Sequence, residues 1–182
     1  MKASRKYSIL GACLVVIAAV SLFLYKVTSH SEAPAASTER QAAAENPEHE
    51  LKELSMQLEK KPGHPPILMR MAQLEREHGK VEDAARHLRE AVKNEPGNAD
   101  AHLELGRLLY EKGDSSGGIA ETEKVLAINP KQVDALYNLG AIYANLGNSQ
   151  RARSYWTQAV TADPAADSSR KAREALTKLG GS

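Results

Sequence analysis

Between residues 65 and 166, hydrophobic side chains recur at spacings of three and four residues, which is the pattern of one buried face on an α-helix. The pattern has a period of 34 residues, so each unit can be numbered from Pro65, Ala99 and Val133. Positions 4, 7, 8 and 11 of the three units form a first face: Leu68, Met71, Ala72, Glu75; His102, Leu105, Gly106, Leu109; and Leu136, Leu139, Gly140, Tyr143. Each unit is therefore predicted to begin with an amphipathic helix.

A second helix face follows in each unit at positions 20, 24 and 27. These positions hold Ala84, Leu88, Ala91; Gly118, Thr122, Val125; and Ala152, Trp156, Ala159. Alanine or glycine stands at positions 8 and 20 throughout, and such small residues let two helices approach closely. Each unit is thus predicted to be a pair of helices packed against each other.

Glycine and proline mark the ends of these helices with the same period. Gly79, Gly113 and Gly147 lie 34 residues apart, and so do Pro62, Pro96, Pro130 and Pro164. The glycines, at position 15, are predicted to take the left-handed conformation that ends a first helix. The prolines, at position 32, cannot continue the second helix.

The third unit in particular resembles the tetratricopeptide-repeat (TPR) family. The residues that carry the resemblance are Tyr137-Asn138-Leu139-Gly140, Tyr143, Gly147, Ala152, Ala159 and Pro164. The resemblance implies an all-α, right-handed α-solenoid of three helix-turn-helix repeats, at residues 65–98, 99–132 and 133–166. The sequence departs from the family pattern at Glu75 and His102, which stand where apolar residues are usual, and at Gly117-Gly118 early in a helix.

Additional helices are predicted on both sides of the three repeats. Residues 48–64 carry Leu51, Leu54 and Leu58 and are predicted to form the second helix of a partial repeat. Residues 167–182 place Ala172, Leu176 and Leu179 on one side and charged residues on the others. A last helix with a polar outer surface stops further stacking in a solenoid, so this segment is predicted to be a cap.

In TPR folds the first helix of each repeat lines a concave groove, and the resemblance implies the same here. The predicted peptide-binding residues are Met69, Arg70, Gln73, Leu103, Arg107, Tyr110, Tyr137 and Asn138. Tyrosine combines an apolar ring with a polar tip. Glutamine and asparagine can both donate to and accept from a peptide backbone, and arginine can hold a carboxylate through two parallel hydrogen bonds.

One TPR binding mode is excluded by the residue types in this groove. Some members of the family hold a C-terminal carboxylate with lysine, arginine and asparagine side chains. The corresponding positions here are Met69, Gln73, Glu104, Asp134 and Asn138. Because two acids replace the basic residues, a carboxylate would be repelled. The groove is instead predicted to accept a neutral or basic segment, helical or extended.

The N-terminal segment is predicted to be a membrane anchor. The uncharged run Ile9–Tyr25 would span about 26 Å as a helix, close to the thickness of the hydrocarbon core. Basic residues precede the run at Lys2, Arg5 and Lys6, whereas only Lys26 follows closely. The positive-inside bias then predicts a cytoplasmic N-terminus (1–8), a transmembrane helix (9–26) in the inner membrane and repeats on the periplasmic side.

Two other interpretations of this segment stay open. Ala33-Pro34-Ala35 has the small residues of a signal-peptide cleavage site, although it lies well beyond the apolar run. Leu10-Gly11-Ala12-Cys13 is similar to a lipoprotein cleavage box, but the run continues for twelve residues past Cys13. Residues 27–47 are rich in Ala, Ser, Glu and Pro and are predicted to be a flexible linker.

Composition and motifs argue against catalytic, metal-binding and nucleic-acid-binding functions. Net charge is +1 with no basic run, so no nucleic acid is expected as a partner. Cys13 is the only cysteine, which excludes an intrachain disulfide. The six histidines show no metal-binding spacing, and no catalytic or cofactor-binding motif occurs. His78 and His87 are predicted to be surface residues and His102 an interface residue with a satisfied side chain.

The sequence therefore predicts a membrane-tethered, non-enzymatic scaffold without a cofactor, which binds a peptide or helix of a client protein in its groove. Two alternatives remain. The repeats could self-associate as a homo-oligomeric structural component of an envelope complex. The architecture is also similar to that of TPR assembly factors of c-type cytochrome maturation.

Overall fold

The computed structural model describes residues 47–180, and the only regular elements in this range are eight α-helices. The helices are α1 (Pro47–Lys60), α2 (Pro65–Glu77), α3 (Val81–Asn94), α4 (Ala99–Glu111), α5 (Ser115–Ile128), α6 (Val133–Asn145), α7 (Ser149–Ala162) and α8 (Asp167–Gly180). The prediction of an all-α solenoid is confirmed. Residues from Leu51 onward form one compact unit, and of the preceding unit only the first turn of α1 is described.

The predicted cytoplasmic N-terminus (1–8), transmembrane helix (9–26) and nearly all of the predicted linker lie outside the described residues. Pro47, predicted as the last linker residue, is instead the first residue of α1. In the part of the chain from 47 to 180, no helix has the length and apolar character needed to cross a bilayer.

The helices begin in a strict 34-residue register. We call α2, α4, α6 and α8 the A helices and α1, α3, α5 and α7 the B helices. The A helices start at Pro65, Ala99, Val133 and Asp167, and the B helices start at Pro47, Val81, Ser115 and Ser149. In each of the three complete repeats the A helix packs directly against the B helix that follows it. Helix α1 is thus a B helix and α8 an A helix, in phase with the repeats between them.

The hydrophobic core runs between the A and B helices as a chain of small clusters. Every residue predicted on the two helix faces, from Leu68 to Ala159, is buried. One cluster joins α2, α3 and α4 around Leu88 and Leu108, and another joins α6, α7 and α8 around Trp156 and Ala172. Since each cluster shares helices with its neighbours, every repeat depends on the next one for burial.

Glycines in the left-handed conformation end the A helices, as predicted. Gly79, Gly113 and Gly147 have φ of 74°, 88° and 76°. A fourth glycine, Gly63, has φ of 71° between α1 and α2 and was not predicted. It lies in a different loop from the other three, between a B helix and the next A helix, where only the proline at 62 had been recognised as part of the period.

The two polar residues at apolar positions, Glu75 and His102, each have a hydrogen-bond partner on the B helix of the same repeat. Nδ1 of His87 donates to Glu75 Oε2 at 2.8 Å, and both side chains are less than a tenth exposed. In the next repeat His102 Nδ1 lies 2.6 Å from Glu121 Oε2. The prediction that His102 is a satisfied interface residue is confirmed. The prediction that His87 lies on the surface is wrong, because position 23 of the B helix faces the A helix.

The glycines of the middle repeat allow its two helices to approach closely, which confirms the prediction for small residues at positions 8 and 20. A Cβ atom on Gly118 would lie 3.0 Å from the carbonyl oxygen of Gly106. A Cβ atom on Gly106 would lie 2.7 Å from Thr122 Oγ1. Gly118, although it departs from the family pattern, is therefore required by this close packing of the two helices.

Gly140→Ala is expected to destabilise the protein although alanine favours helices by about 1 kcal/mol over glycine. A Cβ atom at Gly140 would lie 2.4 Å from Cδ1 of Trp156, whose ring is buried. Overpacking of this kind costs about 1–3 kcal/mol or more, which exceeds the gain in propensity. Urea unfolding followed by circular dichroism measures the change. Gly97→Ala is the control, since nothing lies within 4 Å of its Cβ, and equal stability of the two variants would contradict the prediction.

Candidate functional site

The A helices line a groove of about 910 Å³ along one face of the repeat unit. Helices α2, α4 and α6 supply most of its surface, and α8 supplies Ser168 and Lys171 at one end. The lining residues are Pro66, Met69, Arg70, Ala72, Gln73, Arg76, Leu88, Asn98, Asp100, Leu103, Glu104, Arg107, Gln132, Asp134, Tyr137, Asn138, Ser168 and Lys171.

The structure brings together seven of the eight residues predicted to bind a peptide. These are Met69, Arg70, Gln73, Leu103, Arg107, Tyr137 and Asn138. They come from positions 5, 6 and 9 of successive A helices, which places equivalent residues side by side across the repeats.

Tyr110, the eighth predicted residue, does not line this groove. Its hydroxyl accepts a hydrogen bond from the amide of Asn145 on the next A helix. Arg76 and Glu111 make the equivalent contact one repeat earlier, at 3.2 Å. Position 12 of one A helix thus meets position 13 of the next, and this contact joins neighbouring repeats. Tyr110 thus takes part in an inter-repeat contact, and its assignment as a peptide contact stays a prediction.

Position 5 of the A helices forms an apolar stripe along the groove, which ends at a lysine. Its members in order are Met69, Leu103, Tyr137 and Lys171. Leu103 is only 7% exposed and packs with Val125 and Ala135, so its main role is in the core. Met69 and Tyr137 remain partly exposed, and they offer the larger apolar contact surface.

Most basic side chains of the groove are already paired with acids. Arg107 Nη1 lies 3.0 Å from Glu104 on the same helix, and Lys171 Nζ lies 2.8 Å from Asp167. Hydrogen bonds from Lys171 and Arg170 lower the pKa of Asp167 below its ordinary value. At the other end of the groove, Arg70 donates to the side chain of Gln73 at 3.2 Å.

Two aspartates stand at position 2 of successive A helices on the rim of the groove. Asp100 and Asp134 are both exposed. Asp134 accepts a hydrogen bond from the hydroxyl of Ser168. Neither has an ion-pair partner among residues 47–180. The rim therefore carries negative charge that the neighbouring side chains do not neutralise.

Several lining residues were missed by sequence reasoning. Ser168 and Lys171 had been treated as part of a polar cap. Continuing the 34-residue numbering from Asp167 would have identified them as positions 2 and 5 of a fourth A helix, which face the groove. Asn98 and Gln132 precede the A helices and also line the groove; Asn98 in addition caps α4 by accepting from Ala101 N.

The groove offers hydrogen-bonding, apolar and ionic contacts rather than a centre for bond making. Within the described range, no three His, Cys, Asp or Glu side chains are grouped so that they could hold a metal ion. His87 and His102, the two buried histidines among residues 47–180, serve the packing of A against B helices.

Two tetratricopeptide-repeat family models match the sequence, at residues 69–132 and 122–154. No curated protein matches it significantly. Among solved structures, MamA is 19% identical with a TM-score of 0.64, and the match covers 77% of this chain and 85% of MamA.

Two further similar structures are described with a peptide-binding site or with a bound peptide. YrrB, a TPR protein with an unusual peptide-binding site, is 18% identical with a TM-score of 0.63, over 73% of this chain and 69% of its own. The first TPR of Spaghetti (RPAP3), bound to an HSP90 peptide, is 14% identical with a TM-score of 0.59. The match covers 64% of this chain and 90% of the Spaghetti chain. At these identities the similarity shows the fold. The helical repeats within residues 69–154 are therefore tetratricopeptide repeats, and the fold that they build is a TPR solenoid.

Proposed function

We propose that this protein is a membrane-tethered, non-catalytic scaffold that binds a segment of a client polypeptide in the groove of its A helices. The observation that carries the proposal is the stripe of Met69, Leu103 and Tyr137, flanked by amides and charges, along an open groove. Partly exposed apolar side chains bordered by polar groups are typical of sites that bury a partner's side chains.

The polar residues beside the stripe suit a polypeptide partner. Gln73 and Asn138 line the groove, and each carries both a donor and an acceptor, as the peptide bond does. The solved structures of YrrB and Spaghetti support the proposal, since both are described with a peptide or a peptide-binding site. Fold similarity alone would not establish it, because one fold serves many functions.

The tether is proposed from the sequence of the N-terminal segment. The uncharged run Ile9–Tyr25 is about as long as a bilayer-spanning helix requires. The excess of basic residues before it favours a cytoplasmic N-terminus, which would place the repeats on the periplasmic side of the inner membrane.

Self-assembly remains the alternative class of function. The outward positions of α8 hold Arg170, Arg173 and Glu174, all exposed. A polar end of this kind does not favour stacking of a second copy at that end. The narrower role in c-type cytochrome maturation is a proposal that rests on similar architecture, and no residue of the groove distinguishes it.

The double variant Arg107→Ala/Tyr137→Ala is expected to reduce client capture about tenfold or more, because contacts of this type each contribute about 1–2 kcal/mol at interfaces. Full-length protein is crosslinked to its partners in native membranes, and the recovered client is quantified. The control, Arg153→Ala/Tyr155→Ala, removes the same residue types from α7, and neither residue lines the groove.

Equal capture by the two double variants would show that the groove is not the binding site. Recovery of this protein alone, with no other polypeptide, would favour self-assembly. Melting curves of both variants separate loss of binding from loss of folding, since Tyr155 is also partly buried and stacks on Tyr143 with 5.6 Å between ring centroids.

A further inference from the structure

The charge that remains in the groove after internal pairing is negative, although four basic residues line it and only three acids do. Lys171, Arg107 and Arg76 each face a carboxylate, on Asp167, Glu104 and Glu111 respectively. The three cations therefore already form ion pairs within the protein when no partner is bound. A count of the charged lining residues alone therefore suggests a positive groove, whereas the charges left for a partner are mainly negative.

The acids on the rim are not compensated in this way. Asp134 accepts only from the hydroxyl of Ser168, and Asp100 forms no hydrogen bond or ion pair with the described residues. Arg70, which donates to Gln73, lies on α2 at the far end of the groove from Ser168. The middle of the groove, between α4 and α6, thus combines the partly exposed ring of Tyr137 with two unneutralised carboxylates.

We propose that the groove selects a cationic client segment, in which apolar side chains cover Met69 and Tyr137 while lysine or arginine side chains meet Asp100 and Asp134. This inference rests on the proposed function and gives the chemical class of its partner. Complementary charge at the rim of a site mainly sets specificity and association rate, and it discriminates against partners of the same sign. An acidic segment would meet the two aspartates without any free cation in the middle of the groove to offset them.

The test uses full-length protein and three fluorescently labelled helical peptides that share one leucine pattern. They differ only in their flanking positions, which hold lysine, glutamine or glutamate. We expect the lysine peptide to bind on the order of tenfold more tightly than the glutamate peptide at low salt, because exposed ion pairs have modest individual effects. The difference should shrink at high salt, since salt screens exposed charges.

Asp100→Asn/Asp134→Asn should abolish the preference for the lysine peptide over the glutamate peptide, while the glutamine peptide still binds. Asparagine keeps the size of aspartate and an acceptor for Ser168. The matched control is Glu90→Gln/Glu123→Gln, which removes two negative charges from the B helices α3 and α5. Neither glutamate lines the groove, so this variant should retain the preference.

The glutamine peptide separates this inference from the proposed function. If it binds wild type, and the variant Arg107→Ala/Tyr137→Ala loses it, the groove is a peptide site whatever the charge result. In that case, equal binding of the lysine and glutamate peptides would overturn only the proposal that the groove selects a cationic segment. Loss of the preference in the control variant as well would have the same consequence. Failure of all three peptides to bind would overturn both proposals.

Discussion

Trp156→Ala is expected to lower the free energy of unfolding by about 3–5 kcal/mol, the range for removing a large aromatic side chain from a core. Trp156 is 6% exposed and belongs to the cluster that joins α6, α7 and α8. Its ring lies directly over Gly140, where no side chain exists to fill the space left by the substitution. The loss therefore includes both the transfer of the indole from water and a cavity between two helices.

The same substitution is expected to weaken ligand binding in the groove. Trp156 Nε1 donates to the carbonyl oxygen of Tyr137 at 3.2 Å, and Tyr137 both packs against the cluster that contains Trp156 and lines the groove. Removing the indole leaves this carbonyl without that donor and leaves α6 without its support from α7. Binding of a groove ligand should weaken in the same variant, as a consequence of the altered position of Tyr137.

Chemical denaturation followed by circular dichroism measures the effect, because Trp156 is the only tryptophan and its fluorescence is lost in the variant. Trp156→Phe serves as control. It keeps most of the apolar contact, lacks the N–H donor, and should cost clearly less than alanine. If alanine and phenylalanine were equally destabilising, the hydrogen bond rather than ring packing would dominate this cluster.

The features that follow the 34-residue period were predictable, because the same residue type recurs at equivalent positions of several units wherever the fold requires it. Burial of Leu136 and Leu139 and the positive φ of Gly147 could be inferred from equivalent residues in the other units. Most of the groove followed once the A helices were in register. Lys171 was missed only because the numbering was stopped at the end of the third unit.

The features that depend on one particular pairing could not be predicted. His87 stands at position 23, where the third repeat has Tyr155, and nothing in its own surroundings in sequence indicates that Glu75 will face it. Tyr110 carries the chemistry of a peptide contact, yet its hydroxyl is engaged by Asn145 on another helix. Such contacts are decided by the distance between helices and by which side chain reaches across it.

His102 and Glu121 form the polar contact that replaces an apolar one in the middle repeat. His102 is 4% exposed, and its two ring nitrogens face acceptor oxygens, Glu121 Oε2 at 2.6 Å and the Pro96 carbonyl at 3.0 Å. The other repeats have Leu68 and Leu136 at the same position, so an apolar side chain fits the local geometry of the repeat.

His102→Leu is expected to lower the free energy of unfolding by about 1–3 kcal/mol, because it removes the hydrogen-bond partner of the Glu121 carboxylate and of the Pro96 carbonyl oxygen. The variant leaves the largely buried carboxylate of Glu121 with Lys124 as its remaining partner, at 2.8 Å. The double variant His102→Leu/Glu121→Leu should recover most of this loss, since replacing both members of a buried pair by apolar residues is often close to neutral. Urea unfolding of the two single variants and the double variant forms a complete cycle.

The dependence on pH identifies which charge carries the effect. Burial acts against the ionised carboxylate, but hydrogen bonds from Lys124 and His102 outweigh it and lower the pKa of Glu121 below its usual 4.5. Unfolded Glu121 thus takes up its proton at a higher pH than folded Glu121 does. Its contribution to stability is complete above pH 4.5 and is lost as the pH falls through the lower folded-state pKa.

The comparison with Glu121→Gln isolates this contribution from those of the other carboxylates. The difference in unfolding free energy between wild type and Glu121→Gln should be constant near neutral pH and should shrink on acidification. A difference that stayed constant down to the acid transition would mean that the glutamate acts only through its shape and its hydrogen bonds. A difference that shrinks would show that its charge contributes to stability, through Lys124 on α5 and His102 on α4, in the repeat that supplies Asp100 and Arg107 to the groove.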